Sequence, residues 1–340
     1  MYSPGEMAPL LLVFSLLSRL ISRIKNFLYD RGIFKARRAP LPVISVGNIS
    51  LGGTEKTPLA MELLGRLLEQ GRRPALVSRG YRGRWEKEGG VLSEGRGLLG
   101  SWEEGGDEPA LIARSFPAAG VYVGKDRLTS CRRAAAAGFD IAVLDDGFQH
   151  RRLARDLDIV LFSSAERIAL REPRSALRGA DILLIKSGKK RDKIVAGLKG
   201  FQTGTIFSYS VVPRGLTDLW TEEDVSPDQL AKKKLLAFCG IARPSRFVEE
   251  LRKLGLEIAA FLPYPDHHPY PFLSLERIVK TYRRSGAEAL ITTAKDGLKI
   301  AGRRKELADI PTYVFRIGLA LEPGFDDLLK NFIKQHPAAQ

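Results

Sequence analysis

The segment Gly47-Asn48-Ile49-Ser50-Leu51-Gly52-Gly53-Thr54-Glu55-Lys56-Thr57-Pro58 joins an apolar run to a helical pattern, and its residue types suit the holding of a polyphosphate. A glycine-rich turn ending at a helix N-terminus directs successive backbone N–H groups at anionic oxygens. Lys56 would neutralise the outer phosphates of a nucleotide, and the Thr57 hydroxyl is a ligand for Mg²⁺. Gly52, Gly53, Thr54, Glu55 and Pro58 complete the expected nucleotide-binding set. The match to G-x-x-x-x-G-K-[ST] is imperfect, because Ser50 and Glu55 stand where glycine is usual. Taken alone, such a turn is structural about as often as it is functional.

A second string supplies the context. Ile141-Ala142-Val143-Leu144 is a buried-strand pattern that ends in Asp145 and Asp146, followed by Gly147-Phe148-Gln149-His150. A carboxylate at a strand end beside a phosphate loop holds Mg²⁺ directly or through water. Two adjacent carboxylates repel each other, and a bound cation relieves that cost. Asp145 and Asp146 are therefore the expected metal ligands with Thr57, and the spacing does not choose between the two aspartates.

DDGFQH, preceded by GGT-x-KTP, resembles the tetraacyldisaccharide 4'-kinases of lipid A biosynthesis. The segments Ser78–Gly83 (SRGYRG), Gly106–Pro109 (GDEP), Leu170–Pro173 (LREP) and Leu177–Asp181 (LRGAD) agree with that family. So do Gly240–Pro244 (GIARP), Asp266-His267-His268 and Thr292–Asp296 (TTAKD), and the likeness runs over nearly the whole chain. It implies transfer of the γ-phosphoryl group of ATP, with Mg²⁺, to the 4'-hydroxyl of a tetraacyldisaccharide 1-phosphate. The implied setting is a monomer at the cytoplasmic face of the bacterial inner membrane.

An alcohol is a poor nucleophile near neutral pH and needs a positioned base. The resemblance marks Asp107 as that base and His267 as its partner, with Asp146 the third expected catalytic residue. Lys295 would reach a phosphate, and Arg79, Arg82 and Arg171 are candidates for bidentate phosphate contacts. His268 falls within the same motif, with a buried histidine capping a loop as the alternative, and Asp296 reads as an exposed residue. The departure from the family pattern is Glu55, where glycine is expected before the lysine. A side chain there resists dihedrals that glycine tolerates, and its charge opposes Lys56. ATP should therefore bind more weakly than to a Glu55→Gly variant.

These residues need a scaffold. Strands are expected at Pro42–Val46, Ala75–Ser78, Val121–Val123, Ile141–Leu144, Ile159–Phe162, Ile182–Ile185, Thr205–Val211, Leu235–Phe238, Ala259–Leu262, Ala289–Thr292 and Thr312–Phe315. Most are continuous apolar runs, as in strands buried on both faces of a parallel sheet. Helical patterns such as Leu59–Gln70, Arg127–Ala137 and Phe247–Leu254 lie between them. The fold class is α/β, a P-loop NTPase-like, mostly parallel sheet with a second, smaller α/β domain. Segment Arg84–Asp107 has no clear period and reads as an inserted loop or hairpin. The expected organisation is a membrane-associating helix over residues 1–35, a kinase domain over 36–215 and a domain over 216–340 that closes the cleft.

In Pro9–Tyr29, Leu10, Val13, Leu17, Ile24 and Leu28 recur at helical spacing, while Arg19, Arg23 and Lys25 begin only in the second half. The uncharged stretch Met7–Ser18 is shorter than the roughly 20 residues of a bilayer span. A signal peptide would carry its charge before the apolar run rather than after it. The pattern is that of a helix lying in the membrane interface, or else packed on the protein's own core. The 54 Lys and Arg against 39 Asp and Glu give a formal charge of +15, which favours anionic partners. A phosphorylated lipid and an anionic membrane surface fit that charge, and no nucleic-acid-binding signature accompanies it. Cys131 and Cys239 are too few and too far apart for a disulfide framework, in keeping with a reducing cytosol. A P-loop GTPase or ATPase for metal or cofactor assembly would want an N-K-x-D string, and Thr292–Asp296 lacks the asparagine. A membrane-binding protein with a degenerate nucleotide site has only Glu55 in its favour.

Overall fold

The computed structural model describes residues 24–29, 31–50, 55–162, 170, 172–198, 200–201 and 204–338. Most of the N-terminal amphipathic pattern, together with Gly52, Gly53, Thr54 and Arg171, lies outside these residues.

Among the described residues thirteen strands form one sheet. Its centre is β1 (Val43–Asn48), flanked in parallel by β5 (Ile141–Asp145) and β6 (Leu157–Phe162). All residues of these three strands are buried, which is why their sequences run apolar without alternation. Towards one edge follow β2 (Pro74–Ser78), β4 (Gly120–Val123) and β3 (Gly90–Glu94). Towards the other lie β7 (Ile182–Lys186), β8 (Thr205–Asp218), β13 (Thr312–Leu321), β12 (Ala289–Thr293), β10 (Lys234–Cys239) and β11 (Glu257–Pro263). The short β9 (Asp224–Val225) pairs with β8. The pairings β3–β4, β8–β13 and β8–β9 are antiparallel, and the others are parallel.

The helices that matter for the site are α1 (Lys56–Glu69), α2 (Asp107–Ser115), α3 (Arg127–Ala136), α4 (Pro244–Lys253), α5 (Phe272–Ser285), α6 (Ala294–Ile300) and α7 (Phe325–Gln335). Leu59, Leu63, Leu64 and Leu67 place the apolar stripe of α1 on the sheet at helical spacing.

Strand β8 crosses the expected domain boundary. Thr205–Tyr209 pairs in parallel with β7, and Tyr209–Asp218 pairs antiparallel with β13. The cores on either side are nevertheless separate. One contains Leu63, Leu76, Val143 and Ile159 together with Leu319, Phe325, Leu329 and Phe332 from the end of the chain. Another, in the second half, contains Leu236, Phe238, Leu275, Ile278 and Leu290. Helix α7 thus returns to the first half, where buried Arg72 bonds Asp140 at 2.8 Å and the His336 carbonyl at 2.9 Å.

The aperiodic Arg84–Asp107 segment is not loop throughout. It holds β3 and the one-turn helices Trp85–Glu88 and Trp102–Gly105, whose tryptophans pack on the first core. A Cβ at Gly90 would stand 2.2 Å from the Trp85 ring, so indole packing dictates that glycine. Runs this short carry no detectable period.

Candidate active site

Two groups of polar side chains face one cavity of about 1350 Å³. The first lies at the carboxyl ends of the parallel strands, where open α/β sheets bind ligands. Lys56 and Thr57 open α1 immediately after the phosphate-loop segment. Lys56 Nζ lies 2.9 Å from Asp146 Oδ1 and 3.5 Å from Asn48 Oδ1. The Asp145 carboxylate is buried at the end of β5 and accepts a hydrogen bond from Ser78 Oγ at 3.3 Å. Burial, reinforced by the negative charges of Glu108 and Asp146, pushes its pKa up to about 7. Its Oδ1 is buried with no hydrogen-bond partner among the described residues.

The GFQH turn locks this end of the sheet. Gln149 Nε2 donates to the Asn48 carbonyl at 2.6 Å, and the Gly147 N–H donates to the Val46 carbonyl at 2.9 Å. A Cβ on Gly47 would meet the Cβ of Phe148 at 2.3 Å, so the close approach of β1 to the turn admits only glycine. His150 is pushed down to about 4 by burial and by the nearby Arg127, Lys25 and Arg155, and so stays neutral as part of the turn.

The second group centres on Asp107, the first residue of α2, buried at 6% exposure. His267 Nδ1 donates to its carboxylate, 2.9 Å from Oδ2 and 3.1 Å from Oδ1. Lys299 Nζ lies 3.0 Å away and Lys295 Nζ 3.6 Å away. Burial pushes the Asp107 pKa up, but the His267 hydrogen bond and the two ammonium charges outweigh it and hold the carboxyl well below the usual range. Asp107 is therefore ionised at any working pH. Its expected partner, 160 residues away in sequence, is in place.

Asp296 is not exposed as the sequence reading has it, but fully buried. It sits in the first turn of α6, where its carboxylate accepts from Thr293 Oγ1 at 2.7 Å and from the Gly240 N–H at 2.9 Å. The Gly240 carbonyl in turn accepts from the His267 N–H at 3.1 Å. Asp296 thus orders the turn that presents His267. His268 is a loop cap: its Nε2 lies 2.8 Å from Ser274 Oγ and its ring stacks on Tyr264.

Lys295 pairs with Glu108 at 3.1 Å as well as approaching Asp107. Arg79 faces the cavity but is held by Glu86 at 2.6 Å. Arg82 is exposed and donates to the Asp266 carbonyl at 3.4 Å, across to the second half. Glu55, with Pro58 beside it on the cavity wall, has φ 56° and ψ 24°, the left-handed conformation open to glycine. Its carboxylate turns to Arg246 Nη1 at 2.5 Å and Lys186 Nζ at 3.2 Å. Sequence reasoning passed over Lys186, Arg246 and Lys299. Only Lys299 left a signal, one helical turn beyond Lys295 and on the same face of α6.

A family model for tetraacyldisaccharide-1-P 4'-kinase (LpxK) matches residues 7–334. The chain belongs to this family. Among curated tetraacyldisaccharide 4'-kinases, that of Syntrophus aciditrophicus is 40% identical, with 96% of this chain and 93% of the relative covered. That of Desulfotalea psychrophila is 36% identical over 91% and 92% of the two chains. The crystal structure of LpxK from Aquifex aeolicus in complex with ATP superposes with a TM-score of 0.77, at 31% identity, covering 97% of this chain and 99% of that one. As a tetraacyldisaccharide 4'-kinase the chain is a phosphotransferase of lipid A biosynthesis, built on the P-loop NTPase-like sheet.

Proposed function

We propose that the two groups divide the kinase reaction between them, with nucleotide on the Lys56 side of the cavity and sugar hydroxyl on the Asp107 side. The observation that carries this is their convergence: Lys56, Thr57, Asp145, Asp146, Asp107 and His267 all line the same cavity. ATP lies along the turn before α1, with Lys56 at its outer phosphates. Asp107 accepts the proton of the 4'-hydroxyl. Its depressed basicity is no obstacle, because phosphoryl transfer passes through a loose transition state that asks chiefly for positioning and charge stabilisation. His267 and Lys299 hold the carboxylate in place, and Lys295 adds positive charge beside it.

The residues also fit Mg²⁺. That ion takes one or two carboxylates and fills its remaining positions with water and phosphate oxygens. Asp145, buried with an unpartnered oxygen and raised towards neutrality, is a carboxylate whose cost of ionisation a cation removes. Thr57, Asp145 and Asp146 would hold the ion, which supplies neutralisation of charge on the transferred phosphoryl group.

The acyl chains of the substrate place the enzyme at the inner-membrane surface in this reading. Supporting it, Ile24, Phe27, Ile33 and Phe34 are exposed beside Arg31, Lys35, Arg37 and Arg38. Lys25 and Asn26 fasten this segment to the body through the Gln149 carbonyl and Glu172. Among the described residues no helix is long and apolar enough to cross a membrane. The organisation proposed is an interfacial segment over residues 1–35, a nucleotide half over 36–215 and a half over 216–340 that closes the cleft, with α7 of the latter packed back on the nucleotide half. The protein acts as a monomer, since one chain supplies both groups.

The test is transfer of label from γ-labelled ATP to tetraacyldisaccharide 1-phosphate in detergent with Mg²⁺. Label on the lipid, lost with Asp107→Asn or Lys56→Ala, supports the division of labour. Transfer that survives either substitution refutes it.

A further inference from the structure

Glu55 stands immediately before the phosphate-binding lysine, yet its side chain is largely buried. It lies between Arg246 from α4 in the second half and Lys186 from the end of β7 in the first, at 2.5 and 3.2 Å, with the Tyr209 hydroxyl at 3.5 Å. Two cations and one anion leave this cluster with a net positive charge, so it accommodates a further anion. Glu55 and Arg246 both line the cavity that contains Lys56, Thr57, Asp145 and Asp146, and Lys186 does not. Arg246 is therefore the member of the cluster placed to exchange partners.

We infer that Arg246 is a ligand for the terminal phosphate of the nucleotide and that Glu55 is its internal competitor. This rests on the nucleotide-site reading above. A carboxylate and a phosphate oxygen present the same acceptor to a guanidinium, whose planar fork binds either in charge-assisted bonds. Arg246 sits on a helix of the second half, so a phosphate that takes it from Glu55 links the two halves through the nucleotide. The terminal phosphate is the one concerned, because Glu55 adjoins Lys56, the residue set for the outer phosphates. The Glu55 carboxylate then tunes discrimination between ATP and ADP.

The experiment is calorimetric titration of the full-length protein in detergent with Mg²⁺ and either a non-hydrolysable ATP analogue or ADP. The proteins compared are native, Glu55→Gln, Arg246→Ala, the double variant and Lys56→Ala. Glu55→Gln should tighten the ATP analogue by roughly tenfold, the gain from releasing one charge-assisted bond, and change ADP by less than about twofold, within ordinary mutational scatter. Arg246→Ala should weaken the analogue selectively, and Glu55→Gln should add nothing in that background. The inference is overturned if Arg246→Ala weakens both nucleotides equally or neither, or if the gain from Glu55→Gln persists without Arg246. Nucleotide affinity indifferent to Lys56→Ala would show instead that the site itself is misassigned, and the inference would fall with it.

Discussion

Removing the charge of Asp107 should do two separable things. Lys299 has a fully buried side chain, and its other partners are the His268 carbonyl at 3.1 Å and Asp296 at 3.9 Å. Asp107→Asn leaves that ammonium without its nearest carboxylate, and breaking a buried pair from one side costs about 3–5 kcal/mol. An unfolding entropy of about 2.1 cal/mol/K per residue over 340 residues is about 0.7 kcal/mol/K. The expected loss in Tm is then about 4–7 °C. The same substitution removes the proton acceptor and should lower kcat by about 10²–10⁴-fold. Adding Lys299→Met removes the stranded cation with little change in volume, so the double variant should regain most of its stability and none of its activity. Thermal unfolding and label transfer to the lipid read the two effects side by side. Activity that returns with stability would mean that Asp107 serves only as a counter-ion. An unchanged Tm in the single variant would mean that Lys299 does not depend on it.

The pH dependence of stability follows from the same carboxylate. Its folded pKa is depressed below the unfolded value of about 3.9, so its stabilisation is present above that pH and lost as pH falls through it. The stability gap between native protein and Asp107→Asn should be flat from about pH 5 to 8 and narrow below about pH 4 in urea titrations; a gap that narrows near neutrality would contradict the assignment. Gly83→Ala would bring a Cβ within 2.5 Å of the Glu104 carbonyl and 2.6 Å of the Gly106 nitrogen, directly before Asp107. It should lower kcat by about tenfold or more, as small misplacements of catalytic groups do, with the KM for ATP little changed; an unchanged kcat would show that the loop does not position Asp107. Burial pushes both Cys131 and Cys239 up to about 12, so neither thiol should be alkylated in folded protein at pH 8, which intact mass measurement would show.

What could be read in advance depended on whether a feature was local. The paired aspartates, the start of α1 at Lys56 and the eleven expected strands are runs of a few adjacent residues, and each lies where expected, while Gly52, Gly53 and Thr54 fall outside the described residues. The Asp107–His267 pair spans 160 residues, so no periodicity could join it, and only the family resemblance did. Asp296 misled because an isolated Lys-Asp pair reads as solvated, whereas the Gly240 N–H and the Thr293 hydroxyl satisfy the carboxylate in the interior. Lys299 follows Lys295 by one helical turn, but on a helix of seven residues that spacing alone could not mark which face is inner. The partners of Glu55 come from β7 and α4, far along the chain, so its charge could be seen as opposing Lys56 but not as paired.

The return of helix α7 to the first core has a consequence for how the chain is made. Leu319, Phe325, Leu329 and Phe332 leave the ribosome long after Leu63 and Ile159, yet they complete the same layer. Multidomain chains commonly fold unit by unit from the N-terminus during translation. Here the nucleotide-binding half lacks part of its core until residues 319–332 have been made. A chain stalled before residue 319 would leave the layer around Leu63 and Ile159 open, exposed to aggregation and chaperone capture, so kinase competence has to wait for that later segment.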